Sequence, residues 1–283
     1  FLSVIEWLHA NRLEGCTPKA MSFAAAQGHL DVVKWLHKHH NNEGCFMWAI
    51  RGAAQDGHLD VVEWLYLNRS EVNFRKGAPS DICGAHSPMD SAMDSAAFNG
   101  HISIVEWLHC KNIADVGCTP QAMNFAAGGG HLPTVEWLHA NRSEGCTHEA
   151  MDGAAEFGHL HVVEWLHRNR HEGCTNRAAS GAAENGHLQV LKWLHLNRPE
   201  VFDGDADMMD SAAESGHLNI VEWLYSNRPD CNISQGMQLA AARGHLKMVE
   251  WLHTKFVGRS FQAMDYAAEY GHLSVVEWLH ANR

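Results

Sequence analysis

Apolar residues recur along the chain in two alternating helical periods. In residues 144–171, Ala150, Met151, Ala154 and Ala155 stand at i, i+1, i+4 and i+5, the narrow apolar stripe of a short first helix. Further on, Leu160, Val162, Val163 and Leu166 fall on one broad face when residues are placed 100° apart. His161 and Glu164 fall opposite and Trp165 and His167 flank that face, which predicts a second helix. Thr147 is the expected N-cap of the first helix, and its counterparts Thr17 and Thr119 precede Pro18 and Pro120, where proline suits the first turn. Gly158 is expected to end that helix with positive φ. Pro133 fits only the first turn of a second helix, and Asn169 reads as a left-handed terminator.

The pattern repeats, marked by Trp7, Trp35, Trp64, Trp107, Trp137, Trp165, Trp193, Trp223, Trp251 and Trp278 at separations of 28, 29, 43, 30, 28, 28, 30, 28 and 27 residues. This period predicts an all-α solenoid of stacked helix-turn-helix units, each burying its apolar face only against its neighbours. The units run over 15–42, 43–70, 88–115, 116–143, 144–171, 172–199, 200–229, 230–256 and 257–283, in a single array with a half unit at 1–14. The 43-residue interval holds an insertion at 71–87, a loop by its glycine, proline and mixed polarity. It is either a recognition element or a tolerated surface insertion. The chain opens and closes on apolar second helices and lacks an initiator methionine, so it reads as part of a longer array.

The landmarks T-P, A-A-x-x-G-H-L-x-V-V and a final Leu, clearest in Thr17–Leu36, resemble those of the ankyrin repeat, and the resemblance spans essentially the whole chain. An ankyrin unit is about 33 residues long. The shortfall implies stacked helix pairs with a reduced β-hairpin finger. Asp94, Asp152, Asp210 or Asp265 stands where the family carries a histidine.

Composition narrows the partners. The net charge of −12 argues against a phosphate-tracking surface, so no nucleic-acid partner is expected. No apolar run approaches a membrane span. Of eight cysteines, Cys16, Cys45, Cys118, Cys146 and Cys174 share one repeat position, too far apart in stacked helices for disulfides. Reduced thiols in an intracellular compartment, and a monomer, are expected.

Histidine is the tempting chemistry. Of 23, nine follow the turn glycine and eight end W-L-H. His159 and His167 lie eight residues apart, about 12 Å along a helix, so they cannot share a metal ion. A stacking ladder explains them better, and Tyr66 and Tyr225 replace the W-L-H histidine without disturbing the pattern. Glu136–His139 and Glu164–His167 are candidate i, i+3 pairs. Buried, neutral W-L-H histidines would make stability fall as pH drops below about 6.5. The chain has no phosphate-loop, zinc-protease or nucleophile-elbow motif, so neither catalysis nor a cofactor is expected.

Function is sought where units differ. Three first-helix columns are read as outward. One runs Ser22, Arg51, Asp94, Asn124, Asp152, Ser180, Asp210, Gln238, Asp265; the second includes Phe23, Phe125 and Tyr266. The third includes Phe98, Glu156, Glu184, Glu214 and Glu269. The resemblance implies that they line a concave partner-binding surface. The candidate site is therefore Asp94, Asp152, Glu156, Phe157, Glu184, Asp210, Glu214, Asp265, Tyr266, Glu269 and Tyr270, carboxylates with aromatics that suit a basic protein segment. On that reading Asp152→Lys with Asp210→Lys abolishes capture and spares helicity. The other readings are a structural spacer in a larger protein and, behind it, histidine-based metal binding.

Overall fold

The computed structural model describes residues 1–11, 19–39, 46–68, 91–111, 118–203, 207–228, 233–256 and 260–282. The insertion at 71–87, Cys16, Cys45, Thr17 and Pro18 lie outside them. The described residues form 19 α-helices and no strand, in two compact bodies, Phe1–Thr147 and His148–Arg283.

In the first body α1 (Leu2–Asn11) precedes four helix pairs. These are α2 (Lys19–Ala26) with α3 (Leu30–His39), α4 (Phe46–Gln55) with α5 (Leu59–Leu67), α6 (Ala92–Phe98) with α7 (Ile102–Cys110), and α8 (Pro120–Gly128) with α9 (Leu132–Asn141). The second body has five pairs. They are α10 (Glu149–Glu156) with α11 (Leu160–Asn169), α12 (Asn176–Glu184) with α13 (Leu188–Asn197), α14 (Met208–Glu214) with α15 (Leu218–Asn227), α16 (Gly236–Ala242) with α17 (Leu246–Lys255), and α18 (Ser260–Glu269) with α19 (Leu273–Ala281).

Within each body every first helix packs on its own second helix and on the first helix of the next pair. The alanine stripe explains the second contact. Ala154, Ala155, Ala182 and Ala183 are fully buried, and side chains this small let consecutive first helices approach more closely than consecutive second helices do. Val162, Val163 and Leu166 are buried and His161 is exposed, as the periodicity requires, while Leu160 is only half-buried.

The ends of the helices follow local chemistry. Thr119 and Thr175 cap α8 and α12, their hydroxyls accepting from the backbone N–H of Gln121 and Arg177. The turn glycine of each unit has φ between +71° and +88°. One expectation is corrected. Asn169 is the last helical residue and not a left-handed terminator, because Arg170 beyond it is extended at φ −129°. Its Nδ2 donates to the Trp165 carbonyl at 2.8 Å, and Asn141, Asn197 and Asn227 do the same to their own tryptophans. The side-chain amide thus adds a second donor to a carbonyl of the last helical turn.

Candidate functional site: the first-helix face

Two kinds of position occupy the first helices, and burial separates them. Asp94, Asp152 and Asp210 are 0%, 4% and 5% exposed, so the outward placement expected for them is overturned. Each reaches the start of the next pair. Asp94 accepts from Thr119 N at 3.0 Å and Thr119 Oγ1 at 2.8 Å, and Asp152 accepts from both groups of Thr175 at 2.7 Å. Asp210 accepts from Ser234 Oγ at 2.8 Å and from the backbone N–H groups of Gln235 and Gly236 at 3.0 and 2.7 Å. Asn124 makes the same bridge to Thr147 with an uncharged amide. Thr147 is spent on this bridge, one residue ahead of His148 at the α10 cap position. Lysine at Asp152 or Asp210 would therefore break the stack instead of probing a surface.

The repeated histidines and tryptophans form ladders along the second helices. Within the second body a W-L-H histidine, or the tyrosine replacing it, meets the next tryptophan edge-on: His167–Trp193 at 5.1 Å, His195–Trp223 at 5.3 Å, Tyr225–Trp251 at 5.4 Å. Glu164 turns to Arg168 at 3.3 Å, so the expected pairing with His167 is replaced by an i, i+4 contact. Within a body, the histidine after a turn glycine stacks over the preceding pair's turn: a Cβ on Gly158 would lie 2.6 Å from Cε1 of His187. Burial holds His131 and His187 below the usual histidine value, against a hydrogen bond to the backbone carbonyl of Phe98 or Glu156 that raises it. Arg142 with Glu144 and Arg170 with Glu172 clip the connecting segments, a pattern visible as R-x-E in the sequence.

The exposed remainder is the surface available to a partner. In the second body Phe157, Tyr266 and Tyr270 are 57%, 44% and 60% exposed, and Glu184, Asp265 and Glu269 are exposed as well. Asp265 lies on α18 at the repeat position of Asp152 and Asp210. Glu156 and Glu214 are half-buried and already matched, by Arg177 at 3.8 Å and Arg243 at 2.7 Å. Glu214 and Arg243 border a groove of about 610 Å³ with Gln238, Leu239, Gln262, Tyr266 and Tyr270. An adjoining recess of about 530 Å³ shares the same ion pair and extends to Glu184 and Ser211. The first body presents a different face. Phe23 is 66% exposed, Arg51 lies 4.6 Å over the Trp48 ring, and Phe98 meets Phe125 edge-on at 5.6 Å.

Among the described residues no group of three His, Cys, Asp or Glu side chains is placed to hold a metal ion. No described helix is long and apolar enough to cross a membrane. Burial pushes the Cys118 and Cys174 thiols up to about 12 and about 11, so they stay protonated and behave as small packing groups. A family model described as ankyrin repeats (many copies) matches residues 21–65, 47–109, 93–139 and 209–253, more than half of the chain. No curated protein matches it.

Proposed function

Since the chain belongs to the ankyrin repeat family, we propose that it is a non-catalytic, monomeric protein-binding array that captures a basic segment on the first-helix face of residues 148–283. Ankyrin repeats are generally protein–protein interaction modules, and proteins built from them are typically non-catalytic. The observation that carries the finer reading is the division of the carboxylates. Asp152 and Asp210 are consumed inside the stack, whereas Glu184 and Glu269 stay exposed, without an ion pair to a described residue, and share the face with Phe157, Tyr266 and Tyr270. Exposed acids interleaved with aromatic anchors complement a cationic, partly apolar peptide. The unbridged, protonated thiols fit a reducing intracellular setting.

Selection of random displayed peptides against the chain tests this. Recovered peptides are expected to be rich in Lys and Arg and to lose capture by Glu184→Lys with Glu269→Lys, while circular dichroism stays unchanged. Peptides of no net positive charge, or capture indifferent to the reversal, contradict the reading.

A further inference from the structure

One second helix of the first body ends on a different residue from its sisters. Four residues past the tryptophan most units carry asparagine, whose amide donates to the tryptophan carbonyl, as Asn141 and Asn169 do. On α3 that place is held by His39. Its Nδ1 lies 2.9 Å from the Trp35 carbonyl oxygen, so the imidazole makes the bond that the amide makes elsewhere. A carbonyl oxygen only accepts, so Nδ1 carries the proton and Nε2 of the neutral ring keeps its lone pair. The substitution thus exchanges an amide oxygen for an imidazole nitrogen, a far better ligand for transition metals.

A second imidazole stands beside it. Helix α1 packs on α3, and its W-L-H histidine, His9, meets Trp35 edge-on at 5.1 Å, while His39 stacks on the same indole at 4.3 Å. The two imidazole centres are 5.8 Å apart, and both side chains are exposed. A ring nitrogen sits about 1 Å from its ring centre, so facing nitrogens of rings so spaced come within about 4 Å, the span of one ion about 2.0–2.1 Å from each. A histidine that ligates through one nitrogen usually has its other N–H held by a carbonyl or carboxylate, which fixes the ring. The Trp35 carbonyl does this for His39.

We propose that His9 and His39 form a two-histidine site for a divalent transition-metal ion, bridging the ends of α1 and α3. Imidazole suits copper, nickel and zinc, whereas magnesium and calcium take oxygen ligands. Among the described residues no third His, Cys, Asp or Glu is placed to join the pair, so the remaining positions fall to water. Closed structural zinc sites use four protein ligands. An ion held by two is exchangeable, and it fastens two helices that already pack.

Calorimetric titration of the whole chain with copper(II), nickel(II), zinc(II) and magnesium chlorides tests the site. Saturable binding of one ion is expected, tightest for copper, with no response to magnesium. His39→Asn installs the residue that most units carry at this place, and His9→Tyr the one that stands at Tyr66 and Tyr225, so both variants are expected to keep the wild-type circular dichroism. Each is expected to weaken the binding at least about tenfold. His195→Tyr is the control: it removes a W-L-H histidine whose next tryptophan carbonyl is met by Asn227, and it should leave the affinity unchanged. Absence of saturable binding to the wild type overturns the site. So does equal affinity in the wild type and both variants, or a loss of the same size in the control.

Discussion

Asp94 is a carboxylate sealed from solvent, and burial pushes its pKa up from 3.8 to about 6 despite the two hydrogen bonds from Thr119 that pull it down. Glu144 adds a smaller upward push. A folded-state value above the unfolded one means that the native state binds the proton more tightly. The resulting stability is fully present below pH 3.8 and lost as pH rises through about 6, a penalty at neutral pH on the order of 3 kcal/mol. Asn124 shows the remedy, making the same bridge to Thr147 without charge. Asp94→Asn is expected to match the wild type near pH 4 and to exceed its stability by about 1–3 kcal/mol at pH 7.5, read from denaturant titrations. Equal stability at both pH values would contradict the assignment. The sequence placed the aspartate column outward because it lies off the Ala/Met stripe, and a helical wheel of one unit cannot see what the next unit lays over it. A signal was nonetheless present. Asp94, Asn124, Asp152 and Asp210 are followed by Thr119, Thr147, Thr175 and Ser234, whereas Ser22 precedes a unit with Phe46 at that place.

At the scale of the element, the turn glycine joins two constraints that the sequence showed only in part. Positive φ was legible from a glycine ending each apolar stripe. The imidazole stacked over it was not, because His187 is 29 residues downstream of Gly158. The two constraints separate experimentally. Gly158 has φ +80° and His187 against its α-carbon, whereas Gly271 has φ +79° and nothing within 4 Å. Gly271→Ala carries the backbone strain alone, about 1 kcal/mol. Gly158→Ala is expected to cost more, about 2–4 kcal/mol, and adding His187→Ala should recover the excess in a double-mutant cycle. Equal costs at the two glycines would show that the histidine adds nothing. The helix pairs themselves were readable in advance, since period and glycine spacing depend on neighbours within one unit. Histidine chemistry was readable less well: the pairing of Glu164 with Arg168 and of His167 with Trp193 depends on which neighbour is nearer in space.

For the molecule as a whole, the most repeated residues bind unit to unit and the irregular ones face outward. Tryptophan, W-L-H histidine, turn glycine and the Asp–Thr bridge are scaffold in both bodies, so each pair's stability depends on its nearest neighbours. The exposed residues give the two bodies different characters. Phe23, Trp48 and Phe98 make the first-helix face of residues 1–147 aromatic, whereas Glu184, Asp265 and Glu269 make that of residues 148–283 acidic. Eight of the eleven site residues singled out in the sequence are at least partly open to solvent, and the three aspartates of the inter-unit bridge are not. Gln238 and Gln262 escaped notice because two glutamines carry no motif until their helices are side by side.

Hydrogen–deuterium exchange with and without a basic peptide recovered by display tests the division between scaffold and surface most directly. Slowed exchange is expected at the C-terminal turns of α10, α12, α14, α16 and α18, next to Phe157, Glu184, Glu214, Arg243 and Tyr270. The second helices, with their exposed His161, Gln189, Asn219 and Lys247, should exchange as before. Protection centred on those second helices, with the first helices unchanged, would place recognition on the repeated scaffold and contradict the account.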